Sequence, residues 1–144
     1  KKSRETLLSL MEEDVRVYRE VSRAYTLPKS SGAQKNKRSE AIQQATVVAM
    51  VVPLKTTMCC LSVLERTREL VDIANPNLVS DVGVACYLAE AAFRCAKLNV
   101  EVNLAALKNQ ELVKKVYDEI RYAEKLARVL YEETRELVQR KLGR

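Results

Sequence analysis

Apolar residues recur at helical spacing along almost the whole chain. The first stripe is Leu7, Met11, Asp14, Tyr18, Val21 and Tyr25, in steps of four and three. Such steps keep the six on one face of a helix expected from about Ser3 to Tyr25. Leu27-Pro28-Lys29 ends it, because the residue before a proline is driven out of the α region. A second helix is expected from about Lys37 to Asn75. It is dominated by apolar residues from Ala41 to Leu54 and amphipathic from Lys55 to Ala74. Pro53 lies inside it, and a kink is expected near Ala49–Pro53 because proline removes one backbone hydrogen bond.

Asn75-Pro76-Asn77 stops that helix and turns the chain. Ser80 or Asp81 is expected to cap a third helix rich in Gly83, Ala85, Cys86, Ala89, Ala92 and Ala96. Small side chains let a neighbouring helix, or a flat ligand, approach the backbone. Asn109 is a plausible cap for a last helix from about Gln110 to Lys141. Its stripe is Val113, Val116, Ile120, Ala123, Ala127, Leu130, Thr134 and Leu137. No segment has strand periodicity. The fold class is therefore all-α: one multihelical bundle domain over residues 1–144, with about four long helices, one kinked at Pro53.

Composition sharpens this in three ways. The longest apolar run, Ala45 to Leu54, contains a Thr and a Pro and is too short to span a bilayer, so no membrane partner is expected. The opening Lys1-Lys2-Ser3-Arg4-Glu5 has no apolar signal core. Cys59, Cys60, Cys86 and Cys95 form no CxxC pair and there is no histidine, so no metal site is expected. The cysteines read as small core residues in a reducing compartment, which points to the cytoplasm. The net charge of +6 suits either a solvated surface or an anionic ligand. Nucleic acid is not expected, because there is no Trp, one Phe and no recognisable binding motif.

Candidate chemistry falls on a few polar residues. Asp14 interrupts an apolar stripe, either as a buried carboxylate satisfied by a neighbouring helix or as a carboxylate in a cleft. Lys29, Lys35, Lys37 and Arg38 cluster with no acid before Glu40. Asp81 and Asn99 are 18 residues apart, five turns of helix. They share a face but stand about 27 Å apart along the axis. One small reacting centre cannot touch both. Either a long ligand uses both ends, or the two do separate jobs.

Several short motifs occur in a telling order. Asp14 precedes Tyr18 by four residues, and Leu27-Pro28-Lys29 follows. Then come Arg38, Ala41-Ile42-Gln43, Val52-Pro53-Leu54, Asn75-Pro76-Asn77, Ser80-Asp81-Val82-Gly83-Val84-Ala85 and Asn99-Val100-Glu101-Val102-Asn103-Leu104. In that order and spacing, over roughly Leu7 to Glu119, the chain resembles the cyclodeaminase/cyclohydrolase family of folate enzymes. The resemblance implies a glycine-rich opening turn of Pro-Thr-Pro-Gly-Gly-Gly-Ser type. The 144 residues lack one, so the expectation is either a chain that begins after that element or a divergent relative.

The resemblance implies one-carbon chemistry on a tetrahydrofolate derivative. A cyclodeaminase, a lyase, closes 5-formiminotetrahydrofolate to the 5,10-methenyl form and releases ammonia. A cyclohydrolase adds water to the methenyl form and yields 10-formyltetrahydrofolate. Both pass through a tetrahedral carbon between N5 and N10, and neither needs a metal or a tightly bound cofactor. Without histidine a carboxylate is the natural proton carrier, and it also stabilises a cationic centre. Asp14 and Asp81 are the catalytic candidates, expected to meet if the first helix crosses the start of the third. Lys29 and Arg38 would suit the glutamate tail, polyglutamylated forms included. Asn99 and Asn103 would suit the pterin edge, with Ser80 beside Asp81 at the other end. The resemblance also implies a homodimer. The alternative is a non-catalytic helical module, an oligomerisation or scaffold domain that keeps the fold.

Overall fold

The computed structural model describes residues 2–143. Four helices follow one another: α1 (Lys2–Thr26), α2 (Gly32–Ile73), α3 (Val79–Ala105) and α4 (Gln110–Lys141). There are no strands among the described residues. The all-α bundle expected from the periodicity is the observed fold. Helix α2 is its centre and packs against each of the others, whereas α1 leans mainly on α2. Helix α2 continues through Pro53 without a break. By length and composition it is apolar enough to cross a membrane, which the run Ala45–Leu54 alone did not suggest. However, 44% of its most apolar 18-residue stretch is buried inside the fold.

Local chemistry sets the helix ends. Helix α2 starts at Gly32, ahead of the expected Lys37, because Ser31 and Gln34 form a capping box. The Ser31 hydroxyl accepts from Gln34 N at 3.2 Å, and the Gln34 amide accepts from Ser31 N at 3.1 Å. Asn109 caps α4 as expected, its side chain accepting from Leu112 N at 3.1 Å. Helix α3 differs from expectation. A short 3-10 turn, Pro76–Leu78, leads into it, and Leu78 takes the cap position with no side-chain bond. Ser80 and Asp81 lie inside the first turn, where the Asp81 charge complements the helix dipole instead of capping it.

The largest core cluster joins Leu61 and Leu64 of α2, Cys86 and Phe93 of α3, and Ala123 and Ala127 of α4. Full burial of a side chain such as Phe93 is worth about 2–3 kcal/mol. Gly83 permits the close approach of α3 and α4: a Cβ there would lie 3.0 Å from Val138 Cγ1. Buried Thr57 and Thr134 turn their hydroxyls onto carbonyls one turn back, at 2.8 and 2.7 Å, so neither hydroxyl is stranded. Two ties fasten the bundle ends. Lys141 Nζ donates to Val71 O at 2.6 Å and Asp72 O at 3.1 Å, closing the end of α2. The Gln43 amide donates to Ala106 O at 2.9 Å and accepts from Lys108 N at 2.7 Å, pinning the α3–α4 link onto α2.

The seam of α1 is rotated from the expected one. Leu10, Val17 and Ala24 are buried, with Val21 beside them, against Ala49 and Val52. Met11, Tyr18 and Tyr25 are exposed. Helix α1 has apolar residues on more than one face, and α2 selects the face with the smaller residues. Asp14 therefore sits at the rim of the seam and is not buried in it.

Candidate functional site

Clefts open between the helices. One of about 400 Å³ lies between α1 and α3 over a floor from α2. Helix α1 supplies Leu7, Leu10, Met11, Asp14 and Val15, and the floor is Val52, Pro53 and Thr56. The facing wall is Ala92, Cys95, Ala96 and Asn99. Its size is within the range of small-molecule sites, and its walls are mostly apolar with a few polar groups. Thr56 is already committed, donating to Val52 O at 3.0 Å. The Asp14 carboxylate and the Asn99 amide have no hydrogen-bond or ion-pair partner among the described residues; only the Asn99 carbonyl is used, by Asn103 Nδ2 at 2.8 Å.

The helix order explains the pairing. Helices α1 and α3 both run antiparallel to α2. Cys59 Sγ of α2 reaches Ser3 O near the start of α1, at 3.7 Å, while Leu10 and Val17 meet Ala49 and Val52. On the other side Met50 packs against Val100 and Leu104. Asp14 and Asn99 are thus brought to one level of α2, beside Pro53.

Asp81 is not brought to Asp14. It is exposed at the far end of α3, where Val79 and Val82 pack on Val71 and Val138. That is about 16 Å along the axis from Ala92, the nearest wall residue of the cleft. The expected meeting fails because α1 lies along α2 and does not cross the start of α3. Ser80 shares the fate of Asp81. Asn103 spends its amide on its own helix.

Lys29 is exposed in the turn after α1. Arg38 closes the end of α1, donating to Tyr25 O from Nη2 at 3.1 Å and Nε at 3.3 Å, with its guanidinium 5.5 Å from the Tyr25 ring centroid. Both stand about 20 Å along α1 from Asp14. Neither lines the cleft, so only a long ligand could reach from one to the other.

Two cleft residues escaped the sequence reading. Cys95 is exposed, unlike the buried Cys60 and Cys86, so it is no core residue. The signal for it was its spacing: it precedes Asn99 by four and follows Ala92 by three, on one helix face. Thr56 could have been placed from its position three after Pro53.

The other clefts hold none of the expected residues. One of about 400 Å³ between α1 and α2 carries the ion pair of Glu20 and Arg23, 2.7 Å apart, and Gln44. The third, about 740 Å³ between α3 and α4, is laced with ion pairs, among them Glu90 with Arg94 and Lys97 with Glu124 at 2.7 Å. Burial pushes the nearby Tyr131 hydroxyl up, and the charge of Glu90 adds to this.

The family model for formiminotransferase-cyclodeaminase matches residues 1–122. The chain is 38% identical over 104 residues to a methenyltetrahydrofolate cyclohydrolase of Methylorubrum extorquens, covering 72% of this chain and 50% of that protein. It is 28% identical over 114 residues to the formimidoyltransferase-cyclodeaminase of Mus musculus, covering 79% of this chain and 21% of that one. Its fold is similar to the crystal structure of a formiminotetrahydrofolate cyclodeaminase from Thermotoga maritima. The TM-score is 0.83 at 25% identity, covering 96% of this chain and 65% of the other. The chain thus spans about half the length of the cyclohydrolase and about a fifth of the mouse enzyme.

Proposed function

Because the chain belongs to the formiminotransferase-cyclodeaminase family, we propose that it takes part in one-carbon chemistry on a tetrahydrofolate derivative. The substrate is the methenyl form, interconverted with the 10-formyl or 5-formimino form. The observation that carries this reading is the cleft: a carboxylate and an amide without partners face an apolar space from two helices.

The chemistry asks for such groups. In the hydrolytic direction water adds to the carbon between N5 and N10, the C–N5 bond breaks, and one proton is released. In the deaminating direction N10 attacks the formimino carbon, the C–N bond to the nitrogen of the imino group breaks, and ammonia leaves. Each route moves protons around a tetrahedral carbon next to a cation. The Asp14 carboxylate would take up and return the proton and hold the cationic form by its charge. The Asn99 amide, both donor and acceptor, would orient the pterin edge. In this reading no metal or tightly bound cofactor is needed, and the protein works in the cytoplasm. Lys29 would meet the glutamate tail of the substrate, polyglutamylated or not, with Arg38 near it. Asp81 is given no role at the reacting carbon.

A homodimer is part of the same proposal. Helix α1 exposes Leu8, Met11, Val15 and Tyr18, and α3 exposes Val84, Leu88, Leu98 and Val102. The α1 set steps by threes and fours, and on α3 the pairs Val84–Leu88 and Leu98–Val102 are each four apart and share one face, as in a helix seam that lacks a partner. They flank the cleft, so a second copy seated there would also shield it from water.

The test is turnover of methenyltetrahydrofolate, followed by its absorbance, with Asp14→Asn and Asp81→Asn variants of the protein. Asp14→Asn should lose about 10²–10⁴ in rate, the usual contribution of a positioned acid–base group. Asp81→Asn should stay near wild type. An Asp14→Asn variant that remains folded and fully active sinks the assignment. A wild-type protein inactive on both folate substrates favours the scaffold reading.

A further inference from the structure

Helix α3 is apolar on two opposite sides. Its inner side, with Val82, Cys86, Phe93 and Val100, is buried in the bundle. Its outer side carries Val84, Leu88, Ala91, Cys95, Leu98 and Val102, and all six are exposed. They alternate in steps of four and three, so Val84, Ala91 and Leu98 repeat every seven residues, as do Leu88, Cys95 and Val102. That is the spacing of a coiled-coil seam, and it runs for about 27 Å. A helix apolar on both sides is ordinarily buried on both. Past the first turn, the charged residues of α3 pair off: Glu90 with Arg94, and Lys97 with Glu101 and Glu124.

The seam reads the same from either end. Its order is Val, Leu, small, small, Leu, Val, centred at the level of Phe93. We propose that a second copy of the chain packs here, α3 antiparallel to α3 about a two-fold axis at that level, and that each copy supplies a wall of the other's cleft. This rests on the homodimer of the folate reading and fixes its helix, direction and register. A two-fold interface is self-complementary, so each contact occurs twice. In this register Val84 meets the partner's Val102, Leu88 the partner's Leu98, and Ala91 the partner's Cys95. Large meets large at the ends. Small meets small at the centre, where the helix axes come to about 8 Å. Opposed helix dipoles favour this direction over the parallel one. A foreign helix has no need of a palindromic seam. A lipid surface calls for cations beside the apolar face, and the two of α3, Arg94 and Lys97, are already paired.

The cleft gains a wall in this way. Leu88 shares its side of α3 with the cleft residues Ala92 and Asn99, one and three turns on. The two-fold sets the partner's Leu88 level with Leu98, beside Asn99 and across from Met11 of α1. A stable dimer buries about 800 Å² per partner, more than one such seam covers, so the exposed Leu8, Met11 and Val15 extend the contact. Cys95 also lines the cleft and stays open to small reagents from that side.

The experiment is oxidation with diamide read on a non-reducing gel, beside sedimentation equilibrium of the same protein. Ala91→Cys sets a second thiol opposite the partner's Cys95, so covalent dimers are expected, and adding Cys95→Ser abolishes them. Wild-type protein stays unlinked. Its Cys95 and the partner's Cys95 stand four residues apart along the axis, about 6 Å, on helices about 8 Å apart, too far for a disulfide. Leu88→Glu should weaken the dimer about tenfold, because it buries an unpaired charge. Adding Leu98→Lys should restore it, since the two positions face each other only in the antiparallel register. Each of these positions is exposed in one copy, and circular dichroism verifies the fold. A monomeric wild type overturns the homodimer and this interface together. The interface alone falls if a dimeric wild type links through Cys95, if Ala91→Cys does not link, or if Leu98→Lys restores nothing. Folate turnover per chain should rise with the dimer fraction, and turnover independent of it removes the partner from the cleft while leaving the chemistry at Asp14 in place.

Discussion

The Gln43 clamp gives the sharpest handle on the fold. One side-chain amide closes two backbone groups of the α3–α4 link, Ala106 O at 2.9 Å and Lys108 N at 2.7 Å. Replacing it by Met keeps the chain length and the apolar stem but removes donor and acceptor together. A hydrogen bond contributes about 0.5–1.5 kcal/mol net. Both bonds lie at the surface, so water can reach the backbone groups left behind, and the cost stays in the lower half of that range for each. Gln43→Met should therefore cost about 1–2 kcal/mol. With a urea slope of about 2 kcal/mol/M, the unfolding midpoint falls by about 0.5–1 M with the slope unchanged. The assay is urea denaturation followed by circular dichroism. Gln43→Glu keeps the acceptor for Lys108 N and loses only the donor to Ala106 O, so it should fall between wild type and Met. A Gln43→Met protein within about 0.3 kcal/mol of wild type would refute the clamp.

Three further outcomes follow from particular contacts. Gly83→Val should cost about 1–3 kcal/mol from overpacking against Val138, and less when Val138→Ala makes room; equal costs in both backgrounds would disprove the close approach. Burial first, and the neighbouring Cys59 second, push the Cys60 thiol from 9.0 up to about 11. The folded state then keeps a proton that the unfolded state gives up, so this contribution is complete below about pH 9 and is lost as pH rises towards 11. The stability difference between wild type and Cys60→Ala should shrink over that window by about 2 kcal/mol at most, and a constant difference contradicts it. Finally, Cys95 should react with a thiol reagent in the native protein while Cys60 and Cys86 wait for unfolding. A folate ligand in the cleft should slow Cys95, and unchanged labelling under saturating ligand would place the ligand elsewhere.

The helices were legible because their signals are local. The stripe of α4 matches the observed burial at Val116, Ile120, Ala123, Ala127 and Thr134, since its opposite face is charged and only one rotation buries apolar groups. The cap at Asn109 was legible for the same reason. The buried face of α1 was not, because apolar residues occupy two faces and local spacing cannot say which one a neighbour will take. The 4–3 stripe through Met11, Tyr18 and Tyr25 is a true periodicity, but it faces outward. Helix α2 starts ahead of the expected Lys37 because Ser31 and Gln34 form a reciprocal cap, a signal that lies outside the apolar periodicity.

The site was half legible for a reason that can be stated in residues. Spacing along α3 separates Asp81 from Asn99, but it cannot say which of the two Asp14, on another helix, will meet. Pairing between helices is set by the turns. Counting back along α2 from the turn at Asn75–Leu78 puts Asp81 beside Val71, and puts Asn99 near Pro53 because it lies five turns further on. The turn at Leu27–Ser31 sends α2 back along α1, and Asp14 lies beside Val52 in the cleft, although counting residues from that turn alone would place it nearer Gln44. Two antiparallel hairpins sharing one long helix thus decide which polar groups meet, and both turn positions were already marked by Pro28 and Pro76. Moving one turn should separate the pair while leaving each helix intact. A four-residue insertion in the exposed turn at Lys29–Ser31 would let α1 slip by about one helical turn, close to 6 Å, against α2. Loss of folate turnover in such a folded protein, with Asp14 and Asn99 both present, would separate the need for their alignment from the need for the residues themselves.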